Sequence, residues 1–428
     1  MEPDTGTAAE STWAPARVRR TASVTVGLLM AVWVIDYVDR TMVAIALPFI
    51  GDEFGLSKTE QGWLITTFAL AYMLFQVPGG MLADRFGAKR LLLVSLLLWS
   101  VFTALTGAMW GFAALIVVRA LFGVAQALFP GASFKALAER TTPQRRATAA
   151  GSMLASNTLG AGLAPLVVAP VLLGFGWRDT FWIVAGAGAL VGTLLWALLP
   201  RPLPAHLSEP EAQDAPDEVA APAMGRVLRS PAVWKFAALF CATNMLVYGL
   251  ITWVPSYLLE ERGISLMGAG VSAAIPSLTM ALTTVVGGWL FDRYFYYRAR
   301  VLVIPVLLVA AVMLLLMLRA GSALEFTIYQ TLAMGVAGLS TMSVLGMPVR
   351  ALPRTVIGSG MSVVNVGGQI AGVLAPVVMG ALVDQFSYTA AFGFLIGTTL
   401  LGAVIATWVP QRPDHFEVAR SDGRTDDA

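Results

Sequence analysis

Along this chain, long apolar runs alternate with short polar breaks. Twelve runs stand out, at 22–49, 61–83, 90–109, 112–137, 147–174, 179–199, 232–259, 269–291, 300–318, 325–349, 356–383 and 388–408. A helix of roughly 20 mostly apolar residues crosses the hydrocarbon core of a bilayer. The runs are continuous, whereas barrel strands alternate over about ten residues. The pattern therefore predicts an all-α polytopic membrane protein of twelve spans. The first run is too long for a signal-peptide core and follows 21 polar residues, so no cleavable leader is expected.

The polar breaks divide the chain unevenly. Residues 200–231 carry seven prolines and the acids Glu209, Glu211, Asp214, Asp217 and Glu218. Such a segment cannot pack into a bilayer and reads as a solvated linker. The expected organisation is a tail over 1–21, a six-helix bundle over 22–199, the linker over 200–231, a second bundle over 232–408 and a tail over 409–428. The two bundles repeat. Gly80-Met-Leu-Ala-Asp84-Arg85 after the second run returns as Gly288-Trp-Leu-Phe-Asp292-Arg293 after the eighth, 208 residues later. Asn157, Gly160, Ala164 and Pro165 return as Asn365, Gly368, Ala375 and Pro376. Repeated halves imply a pseudo-two-fold axis along the membrane normal and a site between them.

Composition narrows the field. Apolar residues make up 57% of the 428 and charged residues 13%, about half the roughly 25% of soluble proteins. A net charge of +2 offers no basic face for nucleic acid. One cysteine, Cys241, and two histidines, His206 and His415, exclude a disulfide framework and a zinc cluster. No phosphate-cradling Gly-x-x-x-x-Gly-Lys loop is present, so ATP does not drive the protein directly, and no cofactor is expected. The charge distribution says more than its sum. With the N-terminus inside, 22 Lys and Arg fall in inside segments and four, Lys58, Arg178, Arg262 and Arg319, outside. That asymmetry predicts both termini in the cytoplasm.

Four charges lie well inside spans, away from their ends: Asp36, Asp39, Arg40 and Arg119. Each costs on the order of 2.5–3.5 kcal/mol at a helix centre, so each is a functional candidate. At about 1.5 Å per residue, Arg40 and Arg119 lie about 6 and 9 Å outward of their span centres. Two guanidinium groups at similar depth suit one anion, because the planar fork binds a carboxylate through two hydrogen bonds. The competing reading for Arg40 is a structural ion pair with Asp36, one turn away; for Arg119 it is helix packing. Asp39 is the leading proton carrier and Asp36 the second. Burial disfavours their charged form and a neighbouring arginine favours it, so arrival of a substrate can switch protonation.

Gly80-x-Leu-Ala-Asp84-Arg85-x-Gly87-x-Lys89-Arg90 resembles the signature loop of the major facilitator superfamily, and Arg119-x-x-x-Gly123 is similar to its span-four motif. Asp36-Tyr-Val-Asp39-Arg40, Tyr72-x-x-x-Gln76-x-Pro78, Gly176-Trp177-Arg178 and Trp253-Val-Pro255-Ser-Tyr257 further resemble the anion:cation symporter family. The resemblance implies a transporter of small organic anions such as sugar acids, coupled to protons and working by alternating access. It implies that Arg40 and Arg119 hold the substrate carboxylate. Among the polar residues Tyr72, Asn157, Asn244, Tyr248, Gln330, Ser340, Asn365 and Gln369, it ranks Tyr72 and Asn365 first as further contacts. It gives the Gly80, Asp84, Arg85, Gly87 and Lys89 loop a gating role, repeated by Asp292 and Arg293. Lys135, Arg140, Arg145 and Arg146 are expected to orient the chain, and Trp253 and Tyr257 to anchor it at the bilayer surface.

This chain departs from the family pattern at Gln126, where a glutamate is common. Glutamine cannot titrate. Coupling through aspartate alone, a uniporter or anion exchanger, a glutamine introduced in place of a natural glutamate, and an ordinary polar core residue all fit. Outside anion transport, a drug-efflux carrier and a non-transporting solute sensor remain as alternatives; an enzyme is disfavoured because no nucleophile or metal cluster lies in the spans. The expected setting is a cell inner membrane, as a monomer.

Overall fold

A computed structural model describes residues 14–208, 229–295, 298–351 and 357–411. Among these, the helices are α1 (Pro15–Phe54), α2 (Lys58–Phe86), α3 (Ala88–Ala108), α4 (Phe112–Ala138), then α5 (143–175) and α6 (177–198) as two limbs of Pro143–Leu198, α7 (Pro231–Glu260), α8 (Leu266–Leu290), α9 (Ala299–Leu318), α10 (Ala323–Ala351), α11 (Ile357–Gln385) and α12 (Tyr388–Trp408). Each predicted span lies in one helix to within a residue at its ends, among the described residues. The differences are local. α1 begins at Pro15, seven residues before its apolar run, because proline suits the first helical turn and Arg17, Arg19 and Arg20 are good helix formers. Hydropathy marks the bilayer portion of a helix, not its ends. The regular hydrogen-bond ladder of α4 is interrupted at Leu128, just before Pro130, which lacks the amide the ladder needs. α5 and α6 are joined without a loop: the only non-helical residue in the rod is Gly176, at φ 81°, a conformation that favours glycine.

Each half uses the same packing. α1 lies along α5, and α7 along α11; α2 packs on α4, and α8 on α10. The repeated glycines explain the first pair. A Cβ on Gly160 would meet Tyr37 and the Val34 backbone of α1, and one on Gly368 would meet the Phe240 ring of α7. The halves then meet through α2 with α11 and α5 with α8, pairs exchanged by the pseudo-two-fold, and through α1 with α7. Large apolar side chains such as Val77, Leu97, Leu282 and Val285 face outward around the bundle, as lipid contact requires.

Gly123, from the span-four motif, sets how closely α4 approaches α2. A Cβ there would lie 2.6 Å from the carbonyl oxygen of Phe68 and 2.9 Å from Ala71 Cβ. Gly123→Val should therefore cost about 1–3 kcal/mol through forced backbone shifts. A lower unfolding midpoint in detergent, with Gly186→Ala unchanged because nothing lies within 4 Å of that site, is the expected pair of results.

Trp253 is not a surface anchor. It is fully buried, donates its Nε1–H to Pro376 O at 3.0 Å and packs edge-on to Tyr388. Tyr257 joins the same cluster with Phe326 and Phe392. The sequence showed their place near a helix end, but the partner that draws each inward comes from distant helices.

Candidate functional site

Arg40 sits on α1 where that helix faces α2 and α4. Its Nε donates to Gln126 Oε1 at 2.9 Å and lies 2.9 Å from Asp36 Oδ2, while Nη2 reaches Asp36 Oδ1 at 3.4 Å. Asp36 is fully buried one turn below, so the i, i+4 spacing alone delivers its counter-charge. Three rings surround the guanidinium carbon: Tyr72 at 4.3 Å, Tyr37 at 5.5 Å and Phe68 at 5.5 Å to the ring centroids. Such faces attract a cation without consuming its hydrogen bonds. A guanidinium carries five N–H groups, so the contacts with Gln126 and Asp36 leave donors for a ligand. The side chain keeps 19% of its surface exposed.

Arg119 is placed differently. It is 2% exposed, its Nη2 donates to Thr106 Oγ1 at 3.3 Å, and its guanidinium carbon lies 4.4 Å from the Phe122 centroid. The nearby charge is Asp39, itself fully buried, whose Oδ2 accepts from Thr103 Oγ1 at 2.5 Å. Asp39 Oδ1 and Arg119 Nε have no hydrogen-bond partner among the described residues. The structure thus splits the four charges, with Asp36 and Arg40 in an ion pair and Arg119 more deeply buried near Asp39. Gln126, also fully buried, joins the ion pair, with its Nε2 unpartnered.

Of the other expected contacts, Tyr72 is brought to Arg40, and Tyr248 lies against the Cα face of Gly372, with its ring carbons 3.2–3.4 Å from where a Cβ would stand. Asn157 is half-buried with an unpartnered Oδ1. Asn365 is exposed. Asn244 is spent on its own helix, donating to Phe240 O.

Polar contacts mark the two faces of the bundle. At the face where α1 begins and α12 ends, Asp84 is exposed and pairs with Lys135 at 3.2 Å; Lys135 also donates to Ala83 O and Asp84 O. Lys89 donates instead to Trp196 O, and Arg85 stacks over Phe86. Gly87 takes φ 85° at the α2–α3 corner, and Gly131 of α4 abuts Gly80. Arg140, expected only to orient the chain, is buried and bonds Pro200 O and Ala136 O. Arg293 is exposed in a π-type turn over Phe291–Phe295; the side chain of Asp292 lies outside the described residues.

At the opposite, far face the halves are bolted together. Asp384 at the end of α11 accepts from Lys58 N and Thr59 N, both at 2.7 Å, and from Thr59 Oγ1 at 2.5 Å. Those amides are the first of α2; Ser57 and Glu60 satisfy the adjoining ones through a capping box. One helix N-terminus is thus completed by a carboxylate from the other half, where its dipole favours a negative charge. Lys58 Nζ also pairs with Glu260 at 2.5 Å, and Glu260 accepts from Tyr388. Thr66 donates to Val373 O, and a Cβ on Gly62 would lie 2.5 Å from Pro376 O. Within the first half, Glu53 accepts from Trp177 Nε1 and Arg178, which gives the Gly176-Trp177-Arg178 motif its anchor.

Tyr37, Phe68, Thr103, Thr106 and Asp384 escaped the sequence reading. Phe68 and Tyr72 share an i, i+4 face, and Thr103 and Thr106 an i, i+3 face, so a helical wheel flags them only once their neighbours are known. Among the described residues no group of His, Cys, Asp or Glu could hold a metal.

Comparison with known proteins places this arrangement. The family model described as Major Facilitator Superfamily matches residues 29–375 and 298–425. A hexuronate transporter of Bacillus subtilis is 28% identical over 82% of this chain and 86% of its own length. A protein of Cupriavidus necator named as a probable sulfoacetate transporter is 30% identical over 90% and 92%. A D-galactonate transporter of Escherichia coli is 26% identical over 91% and 95%. Among solved structures, a bacterial homolog of the human lysosomal transporter Spinster, in an inward-facing and occupied conformation, superimposes with a TM-score of 0.78 at 18% identity, covering 90% of this chain and 96% of that one.

Proposed function

Because the chain belongs to the major facilitator superfamily and is a membrane transporter rather than an enzyme, we propose that it is a secondary active carrier of a small hydroxylated carboxylate, such as a sugar acid, moved together with a proton by alternating access. The observation that carries the reading is Arg40: an intramembrane guanidinium with donors to spare, boxed by aromatic rings and partly exposed. With the far face held together by Asp384 and Lys58, the proposed route to Arg40 in this state is from the face where α1 begins. The 22-to-4 distribution of Lys and Arg puts that face in the cytoplasm of a cell inner membrane. Relatives named for hexuronate and D-galactonate support the substrate class.

Asp39 is the proposed proton carrier. It is buried near Arg119, and its Oδ1 has no hydrogen-bond partner among the described residues, which leaves an oxygen able to accept a proton. Tyr72, Tyr248, Asn157 and Asn365 are proposed to complete the substrate's surroundings, and the Asp84 loop to take part in gating at the cytoplasmic face, where Asp84 is held to α4 by Lys135. Gln126 supports one second reading. Because it cannot titrate and its oxygen is already engaged by Arg40, a uniporter or exchanger is the rival mode.

Uptake of labelled D-galactonate into proteoliposomes separates the modes. A symporter concentrates the label when the outside is acidified, and Asp39→Asn should lose that accumulation while keeping counterflow exchange. An Asp39→Asn protein that still accumulates label as the parent does would remove Asp39 from the coupling step.

A further inference from the structure

We infer that the outward end of the substrate pathway is a pocket that reads a hydroxyl group through Gln330, making this carrier selective for acids charged at one end over acids charged at both. The inference rests on the carboxylate-transport reading and on Arg40 as the anion anchor.

Between the halves lies a cavity of about 20 Å³. A water needs on the order of 10–15 Å³, so one water-sized group fits. Its walls include Thr41 and Ile45 of α1, Pro165 of α5, Ser277 of α8, and Gln330 and Met334 of α10. Ile45 lies just over one turn beyond Arg40 toward the far face, and on α7 Tyr248, which is near Arg40, is followed three residues later by Ile251 of the cavity wall, so two helices run from the arginine to the cavity. Gln330 is 2% exposed, and its Oε1 has no hydrogen-bond partner among the described residues. Ser277 gives its proton to Ala273 O at 3.0 Å, so toward the cavity it offers only acceptor capacity.

A buried acceptor left alone is costly, and what it requires is a donor. An alcohol supplies one. An ionised carboxylate or sulfonate does not: it brings further lone pairs and a negative charge against the amide oxygen. Nor is there a cation to receive that charge. No Lys, Arg or His lines the cavity among the described residues. The other intramembrane guanidinium, Arg119, is 2% exposed and already faces Asp39. One end of the path therefore holds an anion and the other holds a neutral donor. This is a choice the relatives leave open, since hexuronate and galactonate carry one negative charge, and sulfoacetate carries two.

The test is a binding series on the purified full-length carrier with D-galactonate, its dicarboxylate counterpart galactarate, sulfoacetate and hexanoate. D-galactonate is expected to bind at least about tenfold more tightly than each of the other three, a ratio read on the parent protein without any variant. Gln330→Met keeps volume and removes the acceptor. It should weaken D-galactonate about fivefold, the worth of one hydrogen bond, and leave hexanoate unchanged. Dianions that bind as well as D-galactonate, or a Gln330→Met protein weakened equally toward every acid, would overturn the pocket while leaving the carboxylate reading intact. A carrier that binds none of these acids takes both down.

Discussion

Replacing Arg40 by alanine should lower affinity for a carboxylate substrate by about 10²-fold or more. A forked guanidinium–carboxylate contact makes two charge-assisted hydrogen bonds, each worth roughly 1.5–3 kcal/mol, and tenfold in affinity is about 1.4 kcal/mol. The same substitution strands Asp36, which is fully buried and has Arg40 for its counter-charge. Breaking a buried pair from one side costs on the order of 3–5 kcal/mol, far more than the worth of an exposed one. Loss of binding and loss of stability are thus expected together, and they can be separated. Asp36→Asn combined with Arg40→Ala should recover the unfolding midpoint without recovering affinity. Titration calorimetry beside thermal unfolding reads both quantities. Parent-like affinity in either protein would end Arg40's role as the anchor.

Asp384→Ala should shift the balance between states in which the far face is closed and open. The carboxylate holds two backbone amides and a hydroxyl of α2. Even discounted for its exposed setting, that set is worth about 2–3 kcal/mol, a change of roughly 30- to 150-fold in the closed-to-open ratio. Lys58→Ala should do less, because the Lys58–Glu260 pair keeps 20% and 28% of its side-chain surface exposed and such pairs contribute under about 1 kcal/mol. Spin labels at the far ends of α2 and α11, measured by pulsed dipolar spectroscopy, report the distance directly. An unshifted distribution in Asp384→Ala would mean that the apolar contact at Gly62 and Pro376 closes the face without it.

The helices and the four charges deep within them were legible because each is a property of a single segment: a run's length, a charge's position. What was not legible depends on which helix faces which. Depth arithmetic put Arg40 and Arg119 at similar levels and suggested a shared anion. Rotation about the helix axes instead aims Arg40 at Gln126 and Tyr72, and Arg119 at Thr106 and Asp39. Asp384 had no signal of its own, being one acid among several at span ends. Its meaning arises only when α11 meets the first turn of α2. Lys135 had the right charge for topology, and the structure adds its bond to Asp84.

The joint at Gly176 has a mechanical consequence. Because α5 passes into α6 without slack, and Trp177 and Arg178 pin the joint to Glu53 at the end of α1, a push on α5 at the seam is delivered at once to a helix on the outer wall and to the one that bears Arg40. A loop would absorb such a displacement; a stiff elbow transmits it. If the carrier works by the alternating access proposed above, the first half would turn as a single lever with Arg40 on the moving arm.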